Sequence, residues 1–149
     1  MTKNQIIAHL PYTKPFLFVD ALSIITEDGA KGQYTFARDS DFYKGHFKNA
    51  PVTPGVILTE CCAQIGLVCL GIYLMNGSDA SLKGLQIGMS SSEMEFLLPV
   101  FPGETVTVAS EKVYFRFNKL KCKVKMYNDR SELVCRGVLS GMLKVNANG

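Results

Sequence analysis

Histidine is scarce in this chain, with two among 149 residues, and net charge is small. Sixteen Lys plus Arg against thirteen Asp plus Glu leave a formal +3, too little for the concentrated basic surface of a nucleic-acid binder. Acidic or thioester-carrying partners stay open. Five cysteines is an odd number, which excludes a complete disulfide framework. The charged start and apolar core of a secretory signal are also missing, so a reducing cytoplasm is the expected compartment. No internal repeat, low-complexity tract or linker interrupts the chain, and residues 1–149 read as one domain. An apolar share of 47% with 19% charged residues is that of a globular protein able to bury a core.

The longest apolar run is Val56 to Met75, twenty residues by count and long enough to cross a bilayer. Glu60 and Gln64 lie inside it, where an ionisable group in lipid would be costly, and strand-like segments flank it. The run therefore reads as a buried core helix. Thr53 is suited to cap it, Pro54 to occupy its first position, and Asn76-Gly77 to end it.

Around this helix the chain alternates like a sheet. A short helix is expected over 3–9, then strands at Phe16–Ile25 and Lys31–Ala37 around Glu27-Asp28-Gly29, and a long irregular connection over 38–53. Four further strands are expected near 83–97, 104–117, 120–127 and 132–145. Leu120, Cys122, Val124 and Met126 alternate with Lys121, Lys123 and Lys125, one face buried and one solvated. The economical α+β architecture is an antiparallel sheet wrapped around one long central helix. One curved sheet covers only part of so apolar a helix, which points to a homodimer.

The chemistry concentrates in residues 42–64. His46 sits in the irregular stretch Phe42-Tyr43-Lys44-Gly45-His46-Phe47, just before the core helix. Glu60 is a carboxylate within an apolar helix, where burial favours its neutral form. A neutral imidazole can take a proton and a neutral carboxylic acid can give one. Gln64 falls one turn after Glu60 on the same face and can hold the acid. Free N–H groups at Gly55 and Val56 carry the partial positive charge of a helix start and can polarise a carbonyl. Base, acid and carbonyl-polarising donors together describe removal of water from a 3-hydroxyacyl thioester.

The run Gly45-His46-Phe47, Pro51-Val52-Thr53-Pro54-Gly55-Val56-Ile57-Leu58, then Glu60 and Ala63-Gln64, resembles the signature of the FabZ-type 3-hydroxyacyl-[acyl-carrier-protein] dehydratases. Pro15-Phe16-Leu17-Phe18-Val19-Asp20 and Pro99-Val100-Phe101-Pro102-Gly103-Glu104 extend the likeness over about residues 10–145. The resemblance implies a hot-dog fold and conversion of a (3R)-3-hydroxyacyl thioester on acyl carrier protein to the trans-2-enoyl thioester. It implies His46 and Glu60 as catalytic residues, Gly55 as the donor to the thioester carbonyl and Gln64 as support for the acid; Val56 joins the substrate-binding set through its helix-start N–H. It further implies a homodimer, in some members a hexamer built as a trimer of dimers, with His from one chain and Glu from the other at each site. Neither a metal nor an organic cofactor is implied. Glu rather than Asp at position 60 matches the members that dehydrate without isomerising. Lys48-Asn49, Tyr12-Thr13-Lys14 and Cys61-Cys62 depart from the family pattern, leaving open the acyl chain and whether the pathway is fatty-acid, polyene or other secondary-metabolite synthesis.

Other features have plainer readings. His9 has no acid or nucleophile near it in sequence. Cys61, Cys62 and Cys69 read as small buried hydrophobes without zinc spacing. Lys112, Arg116, Lys119, Lys121, Lys123 and Lys125 read as a solvated strand face before a docking site for an acidic carrier. Phe16, Phe18, Phe47, Tyr73 and Phe96 read as core. A hot-dog acyl-thioesterase and a non-catalytic acyl-binding subunit are the rival functions, and the presence of both His46 and Glu60 argues against each.

Overall fold

The computed structural model describes residues 1–75 and 85–145. Helix α1 (Lys3–Ala8) starts at a capping box between Thr2 and Gln5 and ends at His9, whose ring accompanies its backbone onto Gln5 O. Strands β1 (Ala21–Thr26) and β2 (Gly29–Thr35) form the first hairpin. A single 3-10 turn (Asp41–Lys44) interrupts the long connection to helix α2 (Gly55–Leu74). Strands β3 (Leu85–Phe96), β4 (Thr105–Arg116), β5 (Lys119–Tyr127) and β6 (Leu133–Val145) complete the chain.

All six strands lie in one antiparallel sheet, in the order β1-β2-β4-β5-β6-β3. The sheet curls around α2 and the core lies between them. Leu120, Cys122, Val124 and Met126 face inward and are almost wholly buried, while Lys123 and Lys125 face solvent. Close approach of helix to sheet depends on Gly66. A Cβ there would stand 2.9 Å from Ser110 Cβ and 3.0 Å from Val124 Cγ1, too near for any side chain without a shift. Helix α2 is apolar enough to span a bilayer, but it is mostly buried inside the protein, as a core helix should be.

Two expectations need correction. Phe16–Asp20 is not part of a strand: β1 begins at Ala21, because the backbone of Phe16 and Phe18 is bonded to the side chain of Gln64 instead of to a neighbouring strand. Nor does Thr53 cap α2. Its buried hydroxyl is engaged with the Tyr43 hydroxyl at 2.6 Å, and Pro54 occupies the cap, so Gly55 is the first helical residue. The expected stop at Asn76-Gly77 and the first two residues of the expected strand at 83–97 fall outside the described residues.

Midway, Ala63–Val68 adopts π geometry, with Cys69 N–H reaching back to Gln64 O. Such insertions are frequent at functional sites. The five cysteines are buried free thiols; Cys62 and Cys135 place their sulfurs 4.0 Å apart, in a thiol–thiol hydrogen bond and not a disulfide.

Candidate active site

Four local arrangements around the N-terminal half of α2 carry the chemistry. The first is the segment that delivers the chain to the helix. Thr53 is anchored through its N–H to Val100 O at 2.8 Å and through its hydroxyl to Tyr43. Ile57 and Leu58 N–H both turn onto Pro54 O. Helix geometry leaves the Gly55 and Val56 N–H groups without a preceding carbonyl to bind. They project at the positive end of a twenty-residue helix.

The second is Gly55 itself. The Phe96 ring lies over it so closely that an added Cβ would meet three ring carbons at 3.2–3.4 Å. Gly55, Val56, Thr59 and Glu60 on the helix, with Met89, Ser92, Met94 and Phe96 on β3, line a cleft of about 600 Å³. Val56 is 76% exposed at its rim.

The third is the acid. Burial raises the Glu60 carboxyl above its ordinary value, with the hydrogen bond from Gln64 pulling partly the other way. The Gln64 amide is committed on all sides: Phe18 N–H donates to its Oε1 at 2.7 Å, and its Nε2 donates to Phe16 O at 2.9 Å and Glu60 Oε2 at 3.0 Å. Only oxygen can accept from the Phe18 amide, so the orientation is fixed, and Nε2 must face Glu60. A donor on Oε2 leaves Oε1 to carry the proton of the neutral acid.

The fourth is His46, half-buried in the connection before the helix. Its Nδ1 lies 2.8 Å from Val52 O, and Val52 N–H returns a 2.8 Å bond to His46 O. A carbonyl can only accept, so Nδ1 bears the proton, and in a neutral imidazole the lone pair then falls on Nε2. Phe47 stacks on the ring at 4.1 Å across a cis His46–Phe47 peptide.

The structure thus gathers Gly55, Val56, Glu60 and Gln64 along one stretch of helix. The two clefts described above at Glu60 have no His46 in their lining within one chain. Phe16 and Phe96, expected in the core, instead line the two clefts and are about half exposed, and Phe47, expected there too, is also exposed, whereas Phe18 is core and Tyr73 packs against that core. Met89, Ser92 and Met94 were not anticipated; nothing in their chemistry marks them, and only the pairing of β3 along the edge of the sheet brings them opposite the acid. Among the described residues no cluster of metal-ligating side chains occurs. A hollow of about 550 Å³ on the solvent face of the sheet, between Glu95, Lys123, Lys125 and Arg136, shares with the Glu60 clefts only Met94.

One long helix wrapped by a six-stranded antiparallel sheet, here with a half-buried acid near the helix start, is the hot-dog fold. Residues 10–143 match the family model of the FabA-like domain, and the chain belongs to that family. It is 35% identical over 114 residues to the 3-hydroxyacyl-[acyl-carrier-protein] dehydratase FabZ of Protochlamydia amoebophila, covering 75% of this chain and 70% of that one. It is 28% identical over 146 residues to the bifunctional enzyme LpxC/FabZ of Chlorobaculum tepidum, where 97% of this chain spans 30% of the longer protein. In three dimensions it resembles the dehydratase heterocomplex ApeI:P from Xenorhabdus doucetiae, with a TM-score of 0.77 at 12% identity over 99% of this chain and 94% of that one.

Proposed function

We propose a division of labour for the 3-hydroxyacyl-[acyl-carrier-protein] dehydratase reaction that this chain catalyses. The thioester carbonyl lies at the start of α2 and accepts from Gly55 N–H, with Val56 N–H adding its dipole. Nε2 of His46 removes the C2 proton, and the polarised carbonyl oxygen bears the developing enolate charge. Electrons collapse to form the C2–C3 double bond as the C3–O bond breaks. Glu60 Oε1 protonates the departing hydroxyl, and water leaves. The imidazolium and carboxylate that remain restore themselves by one net proton transfer from His46 to Glu60. Gln64 holds Glu60 so that the acidic oxygen faces the cleft.

The observation that carries this reading is the Gln64–Glu60 pair. A half-buried carboxyl with one oxygen already engaged by a donor of fixed orientation is arranged as an acid. A hydrolase would need that carboxylate as a base, which burial disfavours.

We infer that the enzyme is a homodimer, in which His46 of one protomer faces Glu60 of the other, with a trimer of dimers as the larger form that the family suggests. The supporting features are the exposed edge strand β3 and the apolar rim of Val56, Met89, Phe96 and Leu97 beside the cleft. Residues 1–149 act as one domain in this reading, on a carrier-bound acyl group in fatty-acid or related synthesis. The five unpaired thiols fit a reducing cytoplasm.

The test is direct. Purified protein incubated with a short (3R)-3-hydroxyacyl thioester on carrier protein should yield the conjugated enoyl thioester and lose one water, as read by absorbance and mass. His46→Ala should lower the rate by about a hundredfold to ten-thousandfold. Free acid and thiol as products, or a wild-type rate in His46→Ala, would overturn the assignment.

A further inference from the structure

The face of α2 that carries Glu60 continues past it. Leu67 and Val68 follow two turns further on, and with Tyr12, Phe16 and Ile87 they bound a second cavity of about 180 Å³. Glu60 and Met89 belong to both cavities, so the two spaces meet at the acid. From Gly55 to Val68 the helix advances about 20 Å at 1.5 Å per residue, and β3 runs alongside in the opposite sense, Phe96 beside Gly55 and Ile87 near Val68. A thioester whose carbonyl lies at Gly55 and whose hydroxyl lies at Glu60 has one direction left for the rest of its acyl chain: the second cavity.

That cavity has firm walls. Leu67 and Val68 are 1% and 2% exposed, part of the packed core, and cannot recede without disturbing it. Tyr12 forms another part of the lining, its ring 6.1 Å from that of Phe16. Burial, and after it the neighbouring Glu60, push the Tyr12 hydroxyl up to about 12, so it stays a neutral phenol over the working range of the enzyme. Tyr12 is one of the positions at which this chain departs from its family's usual pattern. For scale, an apolar cavity of about 150 Å³ accommodates benzene, a six-carbon guest.

Resting on the dehydratase reading above, we propose that the second cavity is a closed terminus for the acyl chain. It admits about six or seven carbons beyond the hydroxyl-bearing carbon, which makes the substrates short- and medium-chain acyl groups of up to about ten carbons. Tyr12 is the wall that sets this limit.

The experiment compares kcat/KM for 3-hydroxyacyl thioesters of four, eight, ten, twelve and sixteen carbons on the same carrier, using the wild-type enzyme, Tyr12→Phe and Tyr12→Ala. Wild type should fall at least about tenfold between the ten- and sixteen-carbon substrates, the scale on which one or two surplus methylenes act in a closed pocket. Tyr12→Phe keeps the wall and should keep the break at the same length. Tyr12→Ala removes it and should move the break to longer chains. Dehydration of the four-carbon substrate by each variant establishes that it folds. Undiminished turnover of the sixteen-carbon substrate by wild type, or a break unmoved in Tyr12→Ala, overturns the proposed limit and leaves the dehydratase assignment standing. Absence of dehydration at every length in wild type overturns the assignment itself.

Discussion

The Gln64 amide donates to Glu60 Oε2 at 3.0 Å with the same nitrogen that donates to Phe16 O, while its oxygen receives the Phe18 N–H. One wholly buried side chain therefore holds both the acid and the backbone segment beside the second cavity. Gln64→Ala should cost stability, because Phe18 N–H and Phe16 O lose their partner. A loss of about 3 kcal/mol is expected from leaving such groups unmet, a fall in Tm of about 6–12 °C for a chain of this size. The same hydrogen bond lowers the Glu60 pKa, so its removal should shift the alkaline limb of the pH–rate profile to higher pH. An alkaline limb that stays in place or moves down would show that Gln64 does not act on the acid.

The acid itself makes a paired prediction on rate and stability. Glu60→Gln retains the shape but cannot deliver a proton, so turnover should fall by about a hundredfold or more. Stability should move the other way. Burial raises the folded-state pKa of Glu60 above 4.5, so the folded protein holds this proton more tightly than the unfolded chain does. The stability this contributes is present at low pH and is lost as pH rises through the raised value. Gln has no such titration. Thermal melts at a series of pH values should show Glu60→Gln gaining on wild type as pH increases from 4.5 to 8, and a gain independent of pH would contradict the raised acid.

Much of this arrangement was legible beforehand, and for physical reasons. The alternation of β5 and the uninterrupted apolar run of α2 depend on period and burial, which composition records directly, and both lie where expected. Glu60 stood out because a carboxylate in an apolar helix requires an explanation. Its bond to Gln64 followed from helical spacing. What the chain did not disclose depends on partners distant in sequence. Phe16 to Asp20 has the composition of a strand, but its backbone at Phe16 and Phe18 is taken by a side chain 48 and 46 positions away. Thr53 has the chemistry of a cap, but Tyr43 claims its hydroxyl. The lining residues Met89, Ser92 and Met94 gain their role only from the topology that sets β3 at the sheet edge.

Gly55 offers a third prediction. A methyl at this position meets the Phe96 ring at 3.2–3.4 Å, and the ring, 48% exposed, can yield by swinging into the cleft. Gly55→Ala should therefore fold normally, helped by the better helix propensity of Ala, yet bind substrate less well. A fall in kcat/KM of about tenfold corresponds to about 1.4 kcal/mol of lost transition-state binding. Shortening the ring should recover part of that loss, so the double variant Gly55→Ala with Phe96→Leu should exceed Gly55→Ala alone. Unchanged kcat/KM in Gly55→Ala would show that the substrate does not approach this backbone.

His46 is not in the lining of the two clefts at Glu60, and the proposed sharing of sites across a dimer has a consequence that no single-chain site can imitate. His46→Ala and Glu60→Ala are each expected to be inactive alone. If they are unfolded together and refolded, or coexpressed, random pairing makes half the dimers mixed. In a mixed dimer one site combines the intact His46 of one protomer with the intact Glu60 of the other, and the second site lacks both groups. The mixture should thus recover about a quarter of wild-type activity. Sites built within single chains would recover none, since every chain in the mixture lacks one of the two residues. Activity measured against the ratio of the two variants should peak at equal amounts and vanish at either extreme, and a flat baseline across all ratios, with mixed dimers verified by mass, would place both groups in the same protomer.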